Sequence, residues 1–285
     1  MKTHLSILEI DLNKRKTEQH QKQISESSLE EKLGGVGIGF HNFKNHLEEY
    51  PDIRDAYDED NPLEINIGFL TGANRLGTAL RTYFSGLSPL KTNKAGTNGF
   101  FYSAVSGDLG VQIRLNNLDS IRIQKKSKDP VFLVIDNGKV SYENGSELIG
   151  KSTSHKIRVL AEKYNDAAFA VIGPAAENYT RFGSIAVSTS EQLRKKNKLM
   201  RFAGRGGMGT VMRDKNLYAI VIRGDKTNKF DVGNVKDMNL EMARGERTSK
   251  YRDYGTMFGN ILSMEMLRAN VHNNFSRGSD ERTEK

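Results

Sequence analysis

The stretch Arg201-Phe202-Ala203-Gly204-Arg205-Gly206-Gly207-Met208-Gly209, continuing through Thr210-Val211-Met212 to Leu217-Tyr218-Ala219-Ile220-Val221-Ile222, decides how the rest of the chain is read. Four glycines within six positions give a backbone that can take positive φ and turn several N–H groups to one side, which is how a chain cradles phosphate oxygens. Arg205 in their midst adds a planar guanidinium suited to bidentate contact with the same anion. The segment reads as a phosphate or pyrophosphate cradle leading into a buried strand, although a plain glycine-rich turn uses the same residues. The spacing Gly204-x-Gly206-x-x-Gly209 also satisfies a dinucleotide fingerprint, which requires a hydrophobic strand before it and a helix after it. Here Arg194-Lys195-Lys196-Asn197-Lys198 precede and a strand-like apolar run follows, so that reading is set aside.

Around this stretch, 285 residues with 36% apolar content in periodic blocks are enough for one large domain or two smaller ones. The chain has no cysteine, which excludes disulfides, thiolate zinc sites and conventional iron–sulfur ligation within it. No run has the length of a membrane span and residues 1–11 lack a signal-peptide pattern, so a soluble cytoplasmic protein is expected, with no membrane partner. A net charge of +8 points to an anionic partner. The basic clusters at 122–128 and 194–201 are not interleaved with aromatics and no familiar module accompanies them, which disfavours nucleic acid. A solvated basic face is the favoured reading of these clusters, and an anionic cofactor or an acidic protein is a further one.

In order, residues 5–12 alternate like a strand with one bulge or a register change, 13–16 make a polar turn, and 17–24 return as a second strand. Ser27 or Ser28 can cap a helix bearing Leu29 and Leu33 that ends in Gly34-Gly35-Val36-Gly37-Ile38-Gly39, glycines suited to tight helix packing and, as the less favoured alternative, to close backbone approach to a ligand. A further helix presents Phe40, Phe43 and Leu47; its His41 and His46, spaced i, i+5, do not aim at one metal and are read as surface residues. Strands follow at 63–70, 82–84, 100–105, 121–123, 131–135, 139–142, 169–172, 182–187 and 217–222, with Asp136-Asn137-Gly138 as a hairpin turn. Residues 153–164 have helical periodicity, and Ser106-Gly107-Asp108-Leu109-Gly110 is a second turn able to present N–H groups. Many strands with little βαβ alternation indicate an α+β fold with a mainly antiparallel core. After a polar linker at 225–231, residues 235–275 lean helical, with methionines and leucines spaced for packing.

Ile172-Gly173-Pro174-Ala175-Ala176-Glu177-Asn178, then the glycine stretch, then Lys215-Asn216-Leu217-Tyr218-Ala219-Ile220, resembles the N-terminal domain of the tungsten-containing aldehyde:ferredoxin oxidoreductases. Gly68-Phe69-Leu70-Thr71-Gly72, Arg81, Ser88-Pro89-Leu90 and Ser106-Gly107 with Gly110 fall in the family's order, and Tyr254-Gly255-Thr256 and Asn274-Phe275 extend the likeness. The resemblance implies a two-sheet, cofactor-cradling domain over residues 1–224, and a linker with the helical start of a second domain over 225–285. It implies a tungsten (or molybdenum) bis-molybdopterin, with magnesium between its phosphates. Carried over, Gly204, Arg205, Gly206 and Gly207 form the phosphate cradle, Ala203 supplies a carbonyl beside it, Arg81 is a pterin arginine, and Ser106 and Gly107 give a second backbone contact. No catalytic acid or base and no metal-ligating side chain is assigned to this chain. Where the family has an Asn as magnesium ligand before the Ser-Gly turn, Val105 or Ala104 stands, and Val36 replaces a family arginine. The 4Fe-4S cluster and the remaining pterin contacts are expected on a cysteine-bearing C-terminal half or partner subunit, through which ferredoxin would be served. Homo-oligomerisation is compatible with this. The implied function is part of an enzyme oxidising aldehydes to carboxylic acids; the alternative is a non-catalytic pterin-binding, scaffold or decayed paralogue domain.

Overall fold

In a computed structural model, which describes residues 4–23, 34–73, 76, 79–224, 233–255, 271–272 and 276–277, the strands assemble into two six-stranded sheets. The first contains β1 (His4–Asp11), β2 (Lys16–Gln23), β3 (Leu63–Ile67), β4 (Thr82–Thr92), β5 (Asn98–Val105) and β6 (Ser120–Gln124), ordered β2-β1-β6-β3-β4-β5. The second contains β7 (Val131–Asp136), β8 (Lys139–Asn144), β9 (Ala168–Ile172), β10 (Ile185–Val187), β11 (Arg201–Ala203) and β12 (Leu217–Arg223), ordered β11-β10-β9-β12-β7-β8. Each sheet has one parallel pair, β1 with β6 and β7 with β12, and is otherwise antiparallel, giving the mainly antiparallel α+β architecture expected. Helices α1 (Val36–Glu49), α2 (Leu109–Leu115), α3 (Thr153–Lys163), α4 (Pro174–Glu177), α5 (Ser190–Lys195) and α6 (Met208–Asp214) connect the strands. These elements belong to one compact unit, Met1–Asn74 with Thr78–Asp231; Arg75–Gly77 with Val232–Lys285 form a second. No helix among the described residues is long and apolar enough to cross a membrane.

Burial explains the sequence patterns strand by strand. β9 and most of β12 are apolar without alternation because both faces are covered, and their residues from Ala168 to Ile172 and from Leu217 to Ile222 are all buried. β1 needs no bulge: its register with β2 is unbroken from His4 to Asp11. Leu5 and Ile7 pack with Ile38 of α1 on one face, whereas Leu8, Ile10 and Leu12 join the main core on the other. The apparent phase slip marks a change in which face is packed, not an inserted residue. Asn137 (φ 50°) and Gly138 (φ 82°) make the β7–β8 hairpin turn with two positive φ values, as anticipated. The Ser152 side chain caps α3 by accepting from His155 N–H at 3.3 Å.

The glycines before and within α1 do serve close packing. A Cβ on Gly39 would lie 2.7 Å from both Asn66 Nδ2 and Ser85 Oγ, and one on Gly35 2.7 Å from the Tyr83 ring. His46 is not a surface residue: it is 1% exposed, its Nε2 lies 2.7 Å from the Asp60 carbonyl, and burial lowers its pKa. It occupies the inner face of α1 with Asn42 and Phe43, which the i, i+5 comparison with His41 did not test. The helix expected at 27–33 and the linker at 225–231 lie outside the described residues. In the second unit, helices α7 (Lys236–Arg244) and α8 (Glu246–Tyr254) fit the helical expectation, but Val271–His272 pair antiparallel with Ser276–Arg277 instead of continuing it.

One buried charge gives this fold a pH dependence. Lys215, just past α6, is 1% exposed, and its Nζ finds only the Glu59 carbonyl at 3.4 Å. Burial lowers its pKa to about 7 from the ordinary 10.5; Lys126 acts in the same direction, and Asp214, Asp60 and Asp58 oppose it. Between those values the unfolded chain binds more protons than the folded one, so stability rises with pH from about 7 to about 10.5. Lys215→Met is expected to remove that rise and to stabilise the protein at pH 7 by about 1–3 kcal/mol. Urea midpoints measured from pH 6 to 10 check this; parallel curves for the two proteins would contradict it.

Candidate phosphate cradle

The glycine stretch runs from β11 through a tight loop into α6. Met208–Asp214 is a helix and not the first part of a strand, because every side chain from Met208 to Met212 is buried and packing overrides a glycine and two β-branched residues. Thr210 Oγ1 donates to the Thr180 carbonyl at 2.5 Å, and Gly209 N–H to the Gly183 carbonyl at 3.0 Å. The stretch therefore does have a strand before it and a helix after it, contrary to the sequence reading. The dinucleotide fingerprint still fails, for a topological reason. β11, β10, β9 and β12 are successive antiparallel neighbours, so β11 and β12 run in opposite directions and the unit is not the parallel βαβ that the fingerprint needs.

The loop is held against the first sheet. Gly206 and Gly207 adopt φ of 72° and 69°, so L side chains are disfavoured there. A Cβ on Gly206 would sit 2.4 Å from the Phe101 ring, and one on Gly207 2.0 Å from the Arg181 carbonyl. Two serines fasten it: Ser88 of β4 donates to the Gly206 carbonyl at 2.8 Å, and Ser103 of β5 accepts from Arg205 N–H at 3.1 Å. Neither serine was singled out as a support for the loop, and no local signal marks them, since their partners lie 118 and 102 residues away.

With Arg205 N–H so engaged, the N–H groups of Gly204, Gly206 and Gly207 have no intramolecular acceptor among the described residues. Gly206 and Gly207 are buried, and a buried N–H without a partner is rare enough to indicate a ligand position. Gly204 is exposed with open space around it, and the exposed Arg205 guanidinium has no side-chain partner. Orphaned donors beside an uncommitted guanidinium fit a phosphate.

The other sequence-derived residues lie at the end of β11, just after β5 and just before β4. Ala203, fully buried, ends β11 opposite Ile185. Gly107 (φ 127°) packs so closely on the residue after β10 that a Cβ would lie 2.7 Å from the Ser188 carbonyl, to which Asp108 N–H donates at 3.3 Å. Ser106 lies three residues beyond Ser103, about 10 Å along the chain at ~3.3 Å per residue. Thr82 pairs with Val105, so continuing the register places Arg81 opposite Ser106. Arg81 is exposed, and its carbonyl accepts from Thr71 Oγ1 at 3.1 Å. Val105 is 2% exposed within the main core, and neither its side chain nor that of Ala104 carries a donor atom for magnesium. Among the described residues no cluster of three His, Asp or Glu side chains could hold a metal ion.

Comparison with known proteins gives these features a context. The family described as "Aldehyde ferredoxin oxidoreductase, N-terminal domain" matches residues 7–224. The "Tungsten-containing aldehyde ferredoxin oxidoreductase" of Pyrococcus abyssi is 33% identical over 208 residues, covering 71% of this chain and 31% of that protein. The "Aliphatic sulfonate oxidoreductase, WOR-like subunit" of Pyrococcus furiosus is 29% identical over 233 residues, covering 76% of this chain and 34% of its own length. Among solved structures, the "Active site complex BamBC of Benzoyl Coenzyme A reductase in complex with 1,5 Dienoyl-CoA" superposes with a TM-score of 0.62 at 28% identity, over 78% of this chain and 31% of that one. The chain spans about a third of the length of these curated relatives.

Proposed function

Since the chain belongs to the aldehyde ferredoxin oxidoreductase family through its N-terminal domain, we propose that it is the cofactor-holding part of a tungstopterin oxidoreductase. The observation that carries this is the loop of Gly204, Gly206 and Gly207, whose N–H groups lack intramolecular acceptors beside the uncommitted Arg205. The bound group would supply two-electron redox chemistry, by which an aldehyde and water become a carboxylic acid, two protons and two electrons. This chain's part is binding and orientation. The three glycine N–H groups and Arg205 hold a pterin phosphate. Ser106 and Gly107 offer a second backbone contact, and Arg81, opposite them, a second cation. Ser88 and Ser103 fasten the loop to the first sheet. No residue of this chain is assigned a proton-transfer role. The iron–sulfur cluster and the transfer of electrons to ferredoxin belong to a cysteine-bearing remainder or partner, because this chain has no cysteine.

A second reading, a pterin-binding or scaffold domain without chemistry, is favoured by Val105, which stands buried where the resemblance leads one to expect a magnesium-ligating Asn. Both readings require the cradle. Arg205→Ala removes a charge-assisted contact of about 1.5–3 kcal/mol, so pterin retained after purification is expected to fall more than tenfold. Release of the pterin and its fluorescence after oxidation measure this; equal pterin in the two proteins would overturn the cradle assignment.

A further inference from the structure

Lys91 is an exposed cation on the face of the first sheet that carries the glycine loop. It stands in β4 where the register with β5 breaks: Ser88 pairs with Gly99 and Thr92 with Asn98, so Pro89, Leu90 and Lys91 bulge out of the ladder. Pro89 packs on the loop, its ring 2.9 Å from where a Cβ of Gly207 would go. The stem of Lys91 lies along the neighbouring strand. Its Cγ and Cδ are 3.2 and 3.4 Å from the Cβ position of Gly99, and its Nζ stands 5.9 Å from the centre of the Phe101 ring. Gly99, Phe101 and Ser103 alternate onto one face of β5. The loop occupies that same face, since Phe101 meets Gly206 and Ser103 accepts from Arg205 N–H. The Phe101 ring therefore borders both the Lys91 ammonium and the loop.

The surroundings leave that ammonium without a counter-charge. Lys91 has no ion-pair partner among the described residues. No Asp or Glu occurs in the sequence from Arg81 to Gly107, which includes the β4–β5 hairpin, or from Gln192 to Arg213, which includes the loop. A ring 5.9 Å away lies at the outer limit of cation–π attraction, so it holds a lysine loosely enough to be exchanged for a phosphate oxygen. We propose that Lys91 is a further cation of the cradle: its ammonium leaves the Phe101 ring and donates to an oxygen of the phosphate or diphosphate held by the glycine N–H groups and Arg205. Gly99 belongs to the same device, because its missing side chain leaves room for the lysine stem to lie on β5. This inference rests on the cradle reading and adds to it a residue that the family resemblance does not supply.

The test titrates the 285-residue chain with inorganic pyrophosphate by calorimetry, without divalent cations and at about 100 mM salt, where distant charges are screened. Lys91→Gln is expected to weaken binding at least about fivefold, with the melting temperature little changed because the side chain is exposed. Gly99→Ala keeps every charge but crowds the lysine stem, and is expected to weaken binding about two- to threefold. Lys94→Gln removes the same charge from the tip of the same hairpin and is expected to bind like the wild type. Wild-type affinity in Lys91→Gln alongside a loss in Arg205→Ala would overturn this proposal and leave the cradle standing. Equal losses in Lys91→Gln and Lys94→Gln would reduce Lys91 to general charge and overturn it as well. No binding of pyrophosphate by the wild type, or binding untouched by Arg205→Ala, would overturn the cradle reading and this inference with it.

Discussion

Gly207→Ala is expected to destabilise the protein by about 3–5 kcal/mol, through a left-handed φ that alanine tolerates poorly and a clash that cannot relax. The obstacle is the Arg181 carbonyl, 2.0 Å from where the Cβ would go, with the Pro89 ring at 2.9 Å on another side. Backbone on one flank and a closed ring on the other leave no flexible group to yield. Gly204→Ala is the matched control: nothing lies within 4 Å of its would-be Cβ, so its cost is expected to stay within about 0.5 kcal/mol. Urea unfolding of the two variants checks this. Similar midpoints would mean that the loop is not seated against β4 and residue 181 as described.

The second large effect concerns Arg114 in α2, whose side chain is 7% exposed. Its Nη1 pairs with Asp119 Oδ1 at 2.6 Å, Nε donates to the Thr71 carbonyl at 3.1 Å, and Nη2 to the Gly68 and Phe69 carbonyls at 3.0 and 3.3 Å. Asp119, 1% exposed, also accepts from Ser6 N–H of β1 at 2.9 Å. One guanidinium thus ties α2 to β1 and to the 68–71 turn. Arg114→Met would take the ion-pair partner from a buried carboxylate and a donor from three carbonyls, at an expected cost of about 3–5 kcal/mol. Adding Asp119→Asn is expected to recover part of that loss, since the buried charge that lost its counter-ion goes with it. A double variant as unstable as the additive sum would contradict the pairing.

Much of the two-sheet core could be read from the sequence, because burial on both faces leaves a run with no other use. Residues 169–172 and 217–222 are such runs, and Asp136-Asn137-Gly138 is a turn that only positive φ satisfies. What escaped was decided by contacts distant in sequence. α6 is helical despite Gly209 and Val211 because the site it enters accepts a helix, which its own residues do not announce. His46 looked polar and exposed until the Asp60 carbonyl was found beneath it. For the candidate site, the glycines and Arg205 were legible, since backbone freedom and charge are local properties. Ser88 and Ser103, which fasten the loop to the first sheet, were not, because each acts across more than a hundred residues.

The most direct test of the central claim is the amount of pterin and tungsten per chain after purification from a host that makes the cofactor, with and without a cysteine-bearing partner. A cofactor-holding domain is expected to carry both when the partner is present, and Arg205→Ala to carry less than a tenth as much. A folded chain that holds neither pterin nor tungsten under either condition would contradict the account.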